Sequence, residues 1–332
     1  MGELENSRVI DAALVNTTLR KRNREIHKGQ CGRILILAGS PGMAGAAVLC
    51  AKGALRSGAG LVTVSVPGEL IPIVQSSVPE AICISRSISK ERLAQYDAIV
   101  LGPGLGVGTE QGSLIDELLE QYHGTMVLDA DALTWLSRAG ESGRGIKGLR
   151  SAKSSLILTP HPGEAARLLG SSIEEVQRDR RAAALTLHRM TGAIVVLKGA
   201  GTIVATGDQQ TYINLTGNPG MATGGSGDVL AGIIASLAGQ GLDPKQSALS
   251  GVYLHGLAGD LKACQWGEYG LIASDLADGA ALAIKKTMED SRLQQLEQGY
   301  AAMSNLNQSL SEEGLDQDTE ALKSYEKLLE RE

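Results

Sequence analysis

The 332-residue chain contains no Phe, and it has only two Trp and seven Tyr. A core or ligand pocket built on stacked phenyl rings is thereby excluded, and apolar burial falls to the aliphatic part of a 43% hydrophobic fraction. Cysteine is nearly as scarce. Cys31, Cys50, Cys83 and Cys264 lie far apart, match no zinc spacing and read as reduced thiols of a cytoplasmic protein. No apolar run suits a membrane helix, since the uncharged stretch Ile34–Ala51 is broken by Gly39-Ser40-Pro41-Gly42. The first residues, with Glu3, Glu5 and Arg8, lack the apolar centre of a secretory signal. A basic stripe is missing too. Of the formal net charge of −6, residues 289–332 supply 11 acids against 4 bases, leaving the remainder close to neutral. Nucleic acid and membrane are therefore not expected as partners.

What the sequence has in surplus is glycine, 42 residues. No collagen period accompanies it, so it points to tight turns and loops in which bare backbone meets a ligand. Apolar runs rich in Ile, Val and Leu predict strands at Arg33–Leu37, Leu61–Val66, Ala98–Leu101, Thr125–Leu128, Ser155–Leu158 and Ala193–Leu197. A hairpin is predicted at Thr202–Ala205 and Thr211–Asn214. Amphipathic stretches between and after them predict helices at Ala44–Ser57, Glu110–Tyr122, Gly163–Leu169, Ile173–Thr191, Gly227–Gly239, Lys245–Cys264 and Ala273–Lys286. The alternation predicts a three-layer α/β/α fold around a mostly parallel sheet. Ligands of such sheets bind beyond the carboxyl ends of the strands, where this sequence places one small or polar loop after another. The expected division is a lead-in at 1–26, one α/β domain at 27–288, and an acidic extension at 289–332. In the extension, Leu293, Leu296, Tyr300, Met303, Asn307 and Leu310 alternate spacings of three and four, which predicts a narrow helical seam, either folded on its own domain or facing a partner.

The most informative segment runs from Asn218 to Asp228, Asn-Pro-Gly-Met-Ala-Thr-Gly-Gly-Ser-Gly-Asp, and is followed by an apolar helix. Bare amides at a helix N-terminus surround phosphate oxygens well, and the helix dipole favours the charge. Asp228 there is either a cap or an ionised base; capping alone does not call for four glycines within eight residues. Lys198-Gly199-Ala200-Gly201-Thr202 follows a Val-rich strand and is similar to a phosphate loop without matching Walker A. His161 stands between two prolines with Glu164 three residues on, which fits a rigid helix start or a polar substrate contact beside an acid that meets Mg2+ through water. Asp129 and Asp131 end a strand, as turn chemistry or as groups facing metal or substrate.

In chain order, His-Lys-Gly at 27–29, Ala-Gly-Ser at 38–40, Met-Ala-Gly-Ala-Ala at 43–47, Gly-Pro-Gly-Leu-Gly at 102–106, Leu-Asp-Ala-Asp-Ala-Leu at 128–133, Pro-His-Pro-Gly-Glu at 160–164, Lys-Gly-Ala-Gly-Thr at 198–202 and the 218–232 segment resemble the ADP- or ATP-dependent NAD(P)H-hydrate dehydratases of the ribokinase-like superfamily. The resemblance covers about three quarters of the chain. It implies repair of the S epimer of hydrated NADH or NADPH: ADP or ATP phosphorylates the ring hydroxyl and phosphate then leaves. It further implies Asp228 as general base; amides of Gly225, Ser226 and Gly227 around the transferring phosphoryl group; and Lys198, Gly199, Ala200, Gly201, Thr202 and Gly227 at the nucleotide. Ala46, Gly104, His161 and Asp228 would meet the hydrated nicotinamide nucleotide, and Glu164 would organise Mg2+ through water. His161 replaces the Asn that related vitamin kinases carry in Thr-Pro-Asn-x-x-Glu, which favours the dehydratase. A homo-oligomer, commonly a tetramer, is implied as well. With only about 25 residues before His27, epimerisation of the substrate is expected to come from a separate epimerase. A kinase of a vitamin precursor or sugar on the same fold, and a noncatalytic nucleotide-binding module, are the alternatives. The absence of Phe adds one expectation, that adenine is held by aliphatic side chains and backbone.

Overall fold

The computed structural model describes residues 7–86, 89–138, 145–207 and 210–290, together with positions 303, 319, 320 and 323. The chain falls into two compact units, Met1–Lys285 and Lys286–Glu332, and the first holds every element discussed below. The seam expected from Leu293 onward lies outside the described residues except at position 303, which is helical.

Ten strands form one sheet: β1 Arg8–Ile10, β2 Arg33–Leu37, β3 Leu61–Ser65, β4 Ile82–Ile84, β5 Ala98–Leu101, β6 Thr125–Leu128, β7 Ser155–Leu158, β8 Ile194–Leu197, β9 Thr202–Ala205 and β10 Thr211–Asn214. Their order is β1-β10-β9-β8-β7-β6-β5-β2-β3-β4. Only the two pairings of β9, with β8 and β10, are antiparallel, so the other nine strands run one way. Alternation divides each central strand between two cores. Ile34, Ile36, Val100, Val127 and Ile157 face one layer, while Leu35, Leu37, Ile99, Leu101 and Leu128 face the other. The first layer is built by the helices Ala44–Arg56, Ser226–Gly239 and Pro244–Trp266 and by the helical stretch from residue 273. The second contains Thr109–Gln121, Asp131–Ser137, Pro162–Leu169 and Arg180–Thr191.

Two short edge strands and one break depart from the sequence reading. Neither β1 nor β4 has more than three residues, too few to show a period, and each is fixed by its neighbour: Arg8–Ile10 by β10 and Ile82–Ile84 by β3. The helix expected over Ile173–Thr191 is two, Ile173–Arg178 and Arg180–Thr191. Asp179 leaves helical geometry at φ −147° and caps the second helix by accepting from the Ala182 N–H.

The chain runs from β2 outward to β3 and β4, then returns to β5 on the other side of β2 and continues through β6, β7 and β8. The order therefore reverses between β2 and β5, where a parallel sheet opens a crevice beyond its strand ends. Against the strands on either side of that crevice packs the Ser226–Gly239 helix. Glycines let this helix approach the Ala44–Arg56 helix backbone to backbone: a Cβ on Gly53 would stand 2.5 Å from the Val229 carbonyl oxygen, and one on Gly232 would fall on the Cys50 carbonyl. Gly232→Ala should cost about 2–4 kcal/mol in a urea titration, because backbone is the obstacle and cannot rotate away. A loss below about 0.5 kcal/mol would show that the two helices are not held at this distance.

Candidate functional site

The strand ends deliver the charged groups. Asp129, 1% exposed, follows β6, and its Oδ1 accepts from Lys198 Nζ at 2.7 Å, Lys198 lying just past β8. Glu164 reaches the same ammonium at 3.9 Å. Between Asp129 and Asp131, Ala130 adopts φ 48° and ψ −113°, a region that strains any residue with a Cβ by about 1–3 kcal/mol. That turn sends the two acids different ways: Asp129 to Lys198, and Asp131 to the Gly106 N–H at 2.8 Å, which anchors the loop after β5.

His161 is a helix cap as well as a surface group. Its Nδ1 accepts from the N–H groups of Gly163 and Glu164, and Glu164 Oε2 returns the favour to the His161 N–H at 2.8 Å. Burial and the nearby Lys198 lower its pKa, so the ring is neutral, and with Nδ1 accepting, the hydrogen sits on Nε2, 3.4 Å from Glu164 Oε1. Burial raises the Glu164 carboxyl against the pull of Lys198. Both Glu164 oxygens are thus engaged, and among the described residues no three His, Cys, Asp or Glu side chains stand close enough to hold a metal ion. These residues fit a water-mediated contact to a cation brought by a ligand and do not fit a cation held directly.

The Ser226–Gly239 helix starts from Gly225 at φ 91° and carries no side-chain cap. Hydrogen-bonding acceptors are missing for the Gly227 and Asp228 N–H groups among the described residues, whereas the Ser226 N–H points back to the Thr223 carbonyl at 3.4 Å. A Cβ on Gly227 would lie 3.2 Å from Lys198 Nζ. Asp228, in the first turn, is partly buried; burial, and next the Asp129 charge, push its pKa from 3.8 up to about 7 against the attraction of Lys198. For Lys198, burial works downward but Asp129 and Glu164 outweigh it, so the ammonium persists.

Two spaces adjoin this part of the fold. On one side is a cavity of about 680 Å3 whose wall includes Lys198, Gly199, Ala200, Gly201, Thr202 and Gly227, as well as His161. On the other, at the β2/β5 crevice, Ala46 and Gly104 meet: a Cβ on Gly104 would stand 3.0 Å from that of Ala46. The Gly39 N–H donates across the crevice to the Pro103 carbonyl at 2.8 Å, and Ser40 Oγ donates to the Gly104 carbonyl at 2.9 Å. Ala46 and Gly104 do not line the cavity.

Several residues of the site escaped the sequence reading. Arg180, 7% exposed, donates to the Leu197 and Ala200 carbonyls and thereby shapes the Lys198–Thr202 loop. Asp260 accepts from the Gly217 N–H and from Asn218 Nδ2, fixing the segment that closes the cavity. His255 lies in the cavity wall, and so do the aliphatic Leu215, Met221, Leu230 and Val252, with no Trp or Tyr among the lining residues. The Leu-Ala-Gly-Asp run ending at Asp260 was the available signal for that acid, but a helical Asp with no visible partner reads as solvated.

Residues 34–280 match the NAD(P)H-hydrate dehydratase family. The chain belongs to that family. It is 42% identical over 264 residues to the ADP-dependent (S)-NAD(P)H-hydrate dehydratase of Neisseria meningitidis serogroup B, a match covering 79% of this chain and 88% of that protein. To the bifunctional NAD(P)H-hydrate repair enzyme Nnr of Moorella thermoacetica it is 44% identical over 298 residues, covering 86% of this chain and 55% of that one. The chain spans about half the length of such bifunctional relatives. Among solved structures, the ADP/ATP-dependent NAD(P)H-hydrate dehydratase from Bacillus subtilis, co-crystallized with ATP/Mg2+, superposes with a TM-score of 0.74 at 32% identity, over 85% of this chain and 99% of that one. A ribokinase-like superfamily protein of Enterococcus faecalis V583 also superposes with a TM-score of 0.74, at 26% identity, over 85% of this chain and 96% of that one. The dehydratase family's fold is accordingly ribokinase-like.

The elevated Asp228 pKa has a consequence for stability. The folded chain holds this proton more tightly than the unfolded chain does, so stability is lost as pH rises from the ordinary carboxylate range through about 7. Asn does not titrate. Unliganded Asp228→Asn should therefore be more stable than the parent at pH 8, by about 2–4 kcal/mol, and this advantage should shrink toward pH 4. Urea titrations at the two pH values measure it; a difference that does not change with pH would place Asp228 in water.

Proposed function

We propose that the protein restores the S epimer of hydrated NADH or NADPH to the intact dinucleotide, consuming ADP, or ATP in its place. The observation that supports this most is the position of Asp228, a carboxyl with pKa about 7 in the first turn of an uncapped, glycine-rich helix start whose Ser226 and Gly227 line the cavity. In this reading the nucleotide occupies the cavity with its phosphates toward Lys198 and the helix start, and its adenine lies among Leu215, Met221, Leu230 and Val252. The hydrated ring comes from the crevice side, past Ala46 and Gly104, with His161 as a further polar contact.

The chemistry then follows from the charges. Ionised Asp228 takes the hydrogen of the C6 hydroxyl while that oxygen attacks the terminal phosphorus, forming the new O–P bond as the bond to the departing nucleotide breaks. The amides of Gly225 and Gly227, the Ser226 residue and the Lys198 ammonium stabilise the charge spread over the phosphoryl oxygens. The ring nitrogen lone pair next expels phosphate from C6, and loss of a proton from C5 restores the dihydronicotinamide. ADP thus ends as AMP and phosphate, ATP as ADP and phosphate. Glu164 would meet, through water, a Mg2+ ion brought with the nucleotide, which would supply charge neutralisation. Hydrated dinucleotide of the opposite configuration must be epimerised before it can react in this reading. Action as a homo-oligomer in the cytoplasm is the remaining part of the reading, carried by the family resemblance.

Incubation with hydrated NADH and either nucleotide should produce the absorbance band of the reduced ring. No band with either, together with phosphorylation of a small alcohol, would assign a kinase instead. Because the base works ionised, kcat/KM should fall as pH drops below about 7. Asp228→Asn should bind nucleotide normally and lose about a hundredfold or more in kcat, the usual scale for a general base; near-normal turnover would remove Asp228 from that role.

A further inference from the structure

His255 lies on the Pro244–Trp266 helix, 8% exposed, in the cavity wall facing the start of the Ser226–Gly239 helix. Its Nε2 stands 3.4 Å from Ser226 Oγ. Burial drives the imidazole down to about 4, although contact with the Ser226 backbone works upward, so the ring is neutral at ordinary pH and carries one hydrogen.

Two arrangements of the pair are open, and a phosphate separates them. Were Nε2 to accept, it would take the hydroxyl hydrogen, and Ser226 Oγ would present lone pairs to the anion. Were Nε2–H to donate, Oγ would be satisfied as an acceptor and its own hydrogen would point into the cavity; each bond would then polarise the other. The Ser226 amide is poorly placed to substitute, since its N–H is turned to the Thr223 carbonyl. The hydroxyl is therefore the donor that Ser226 has to offer.

We infer that His255 is a positioning residue that donates from Nε2 to Ser226 Oγ and so makes the Ser226 hydroxyl a hydrogen-bond donor to the terminal phosphate of the nucleotide. The inference rests on the part of the proposed function that puts a nucleotide in the cavity, and it is independent of what the nucleotide is used for.

A double-mutant cycle tests it. Calorimetry with ADP and with adenosine on the parent, Ser226→Ala, His255→Leu and the double variant reads the phosphate contact apart from the adenine contact. Each single substitution should weaken ADP about five- to tenfold, the scale of one charge-assisted hydrogen bond, while adenosine stays within about twofold. The double variant should bind ADP no more weakly than the poorer single one, because both substitutions break one chain. His255→Gln, which keeps an N–H at similar reach, should stay within about threefold of the parent. Should His255→Leu not fold, His255→Asn, whose amide falls short of Oγ, takes its place. Losses that multiply in the double variant, an equal loss for adenosine, or a parent with no affinity for ADP would overturn the inference. A parent that binds ADP in the expected pattern yet never restores the ring would remove the dehydratase reading and leave this one standing.

Discussion

Lys198 is the cation that Asp129, Glu164 and Asp228 share, and its attraction is what opposes the burial of those carboxyls. Asp129 holds the ammonium at 2.7 Å, Glu164 lies at 3.9 Å, and Asp228 feels it from a greater remove. Burial, joined by the neighbouring Asp129 charge and opposed by Lys198, lifts Glu164 and Asp228 above their ordinary values, Asp228 to about 7. A carboxyl so poised can both take a proton at neutral pH and release it, the property asked of a general base. The strain at Ala130 is consistent with this, since the turn is what delivers Asp129 to Lys198 and leaves Asp131 to the loop after β5.

The same ion pair ties the ends of two strands together across a third. Lys198 comes from β8 and Asp129 from β6, with β7 between them, and a side chain at Gly227 would press on the ammonium. Glycine at 227 lets the helix start approach the ammonium without displacing it by the few tenths of an ångström that a Cβ would require. Gly53 and Gly232 allow the same approach further along, where carbonyls of one helix occupy the space a Cβ would need on the other. The uncapped amides of the helix start and the acid are thus placed by close packing of backbone, not by long side chains reaching in.

This accounts for what the sequence showed and what it concealed. The central strands were legible because each is an apolar run closed by a turn, and the crevice loops because they are glycine-rich and polar. Asp228 stood out by its neighbours, four glycines within eight residues. By contrast, Arg180, His255 and Asp260 act through partners 17 to 43 residues away, and their sequence surroundings are those of ordinary helix positions. Asp179 also illustrates the limit: the apolar period runs through it, so only its side chain bonding to the Ala182 N–H shows that one helix has ended and another begun. The strands β1 and β4, at three residues each, owe their conformation to the sheet edge they extend and carry little signal of their own.

Glycine surplus and missing Phe turn out to be two sides of one constraint. Part of the glycine does lie in ligand-facing loops, yet Gly53, Gly232, Gly251 and Gly259 are helical, and each lies where a Cβ would collide with a neighbouring element. The layer that carries the acid is packed largely through Ala, Gly and aliphatic side chains, Leu among them, with Ala47, Ala51, Ala54, Ala231 and Ala235 all buried and Tyr212 and Tyr253 as its buried tyrosine rings among the described residues. Rings between such helices would force them apart and lift Gly227 and Asp228 away from Lys198. A close helix layer also leaves the cavity wall to Leu, Met and Val, which offer shape and dryness but no stacking face. In the proposed reading, discrimination among nucleotides then falls to the polar part of the wall, which includes Lys198, Thr202, Asn214, Asn218 and Ser226.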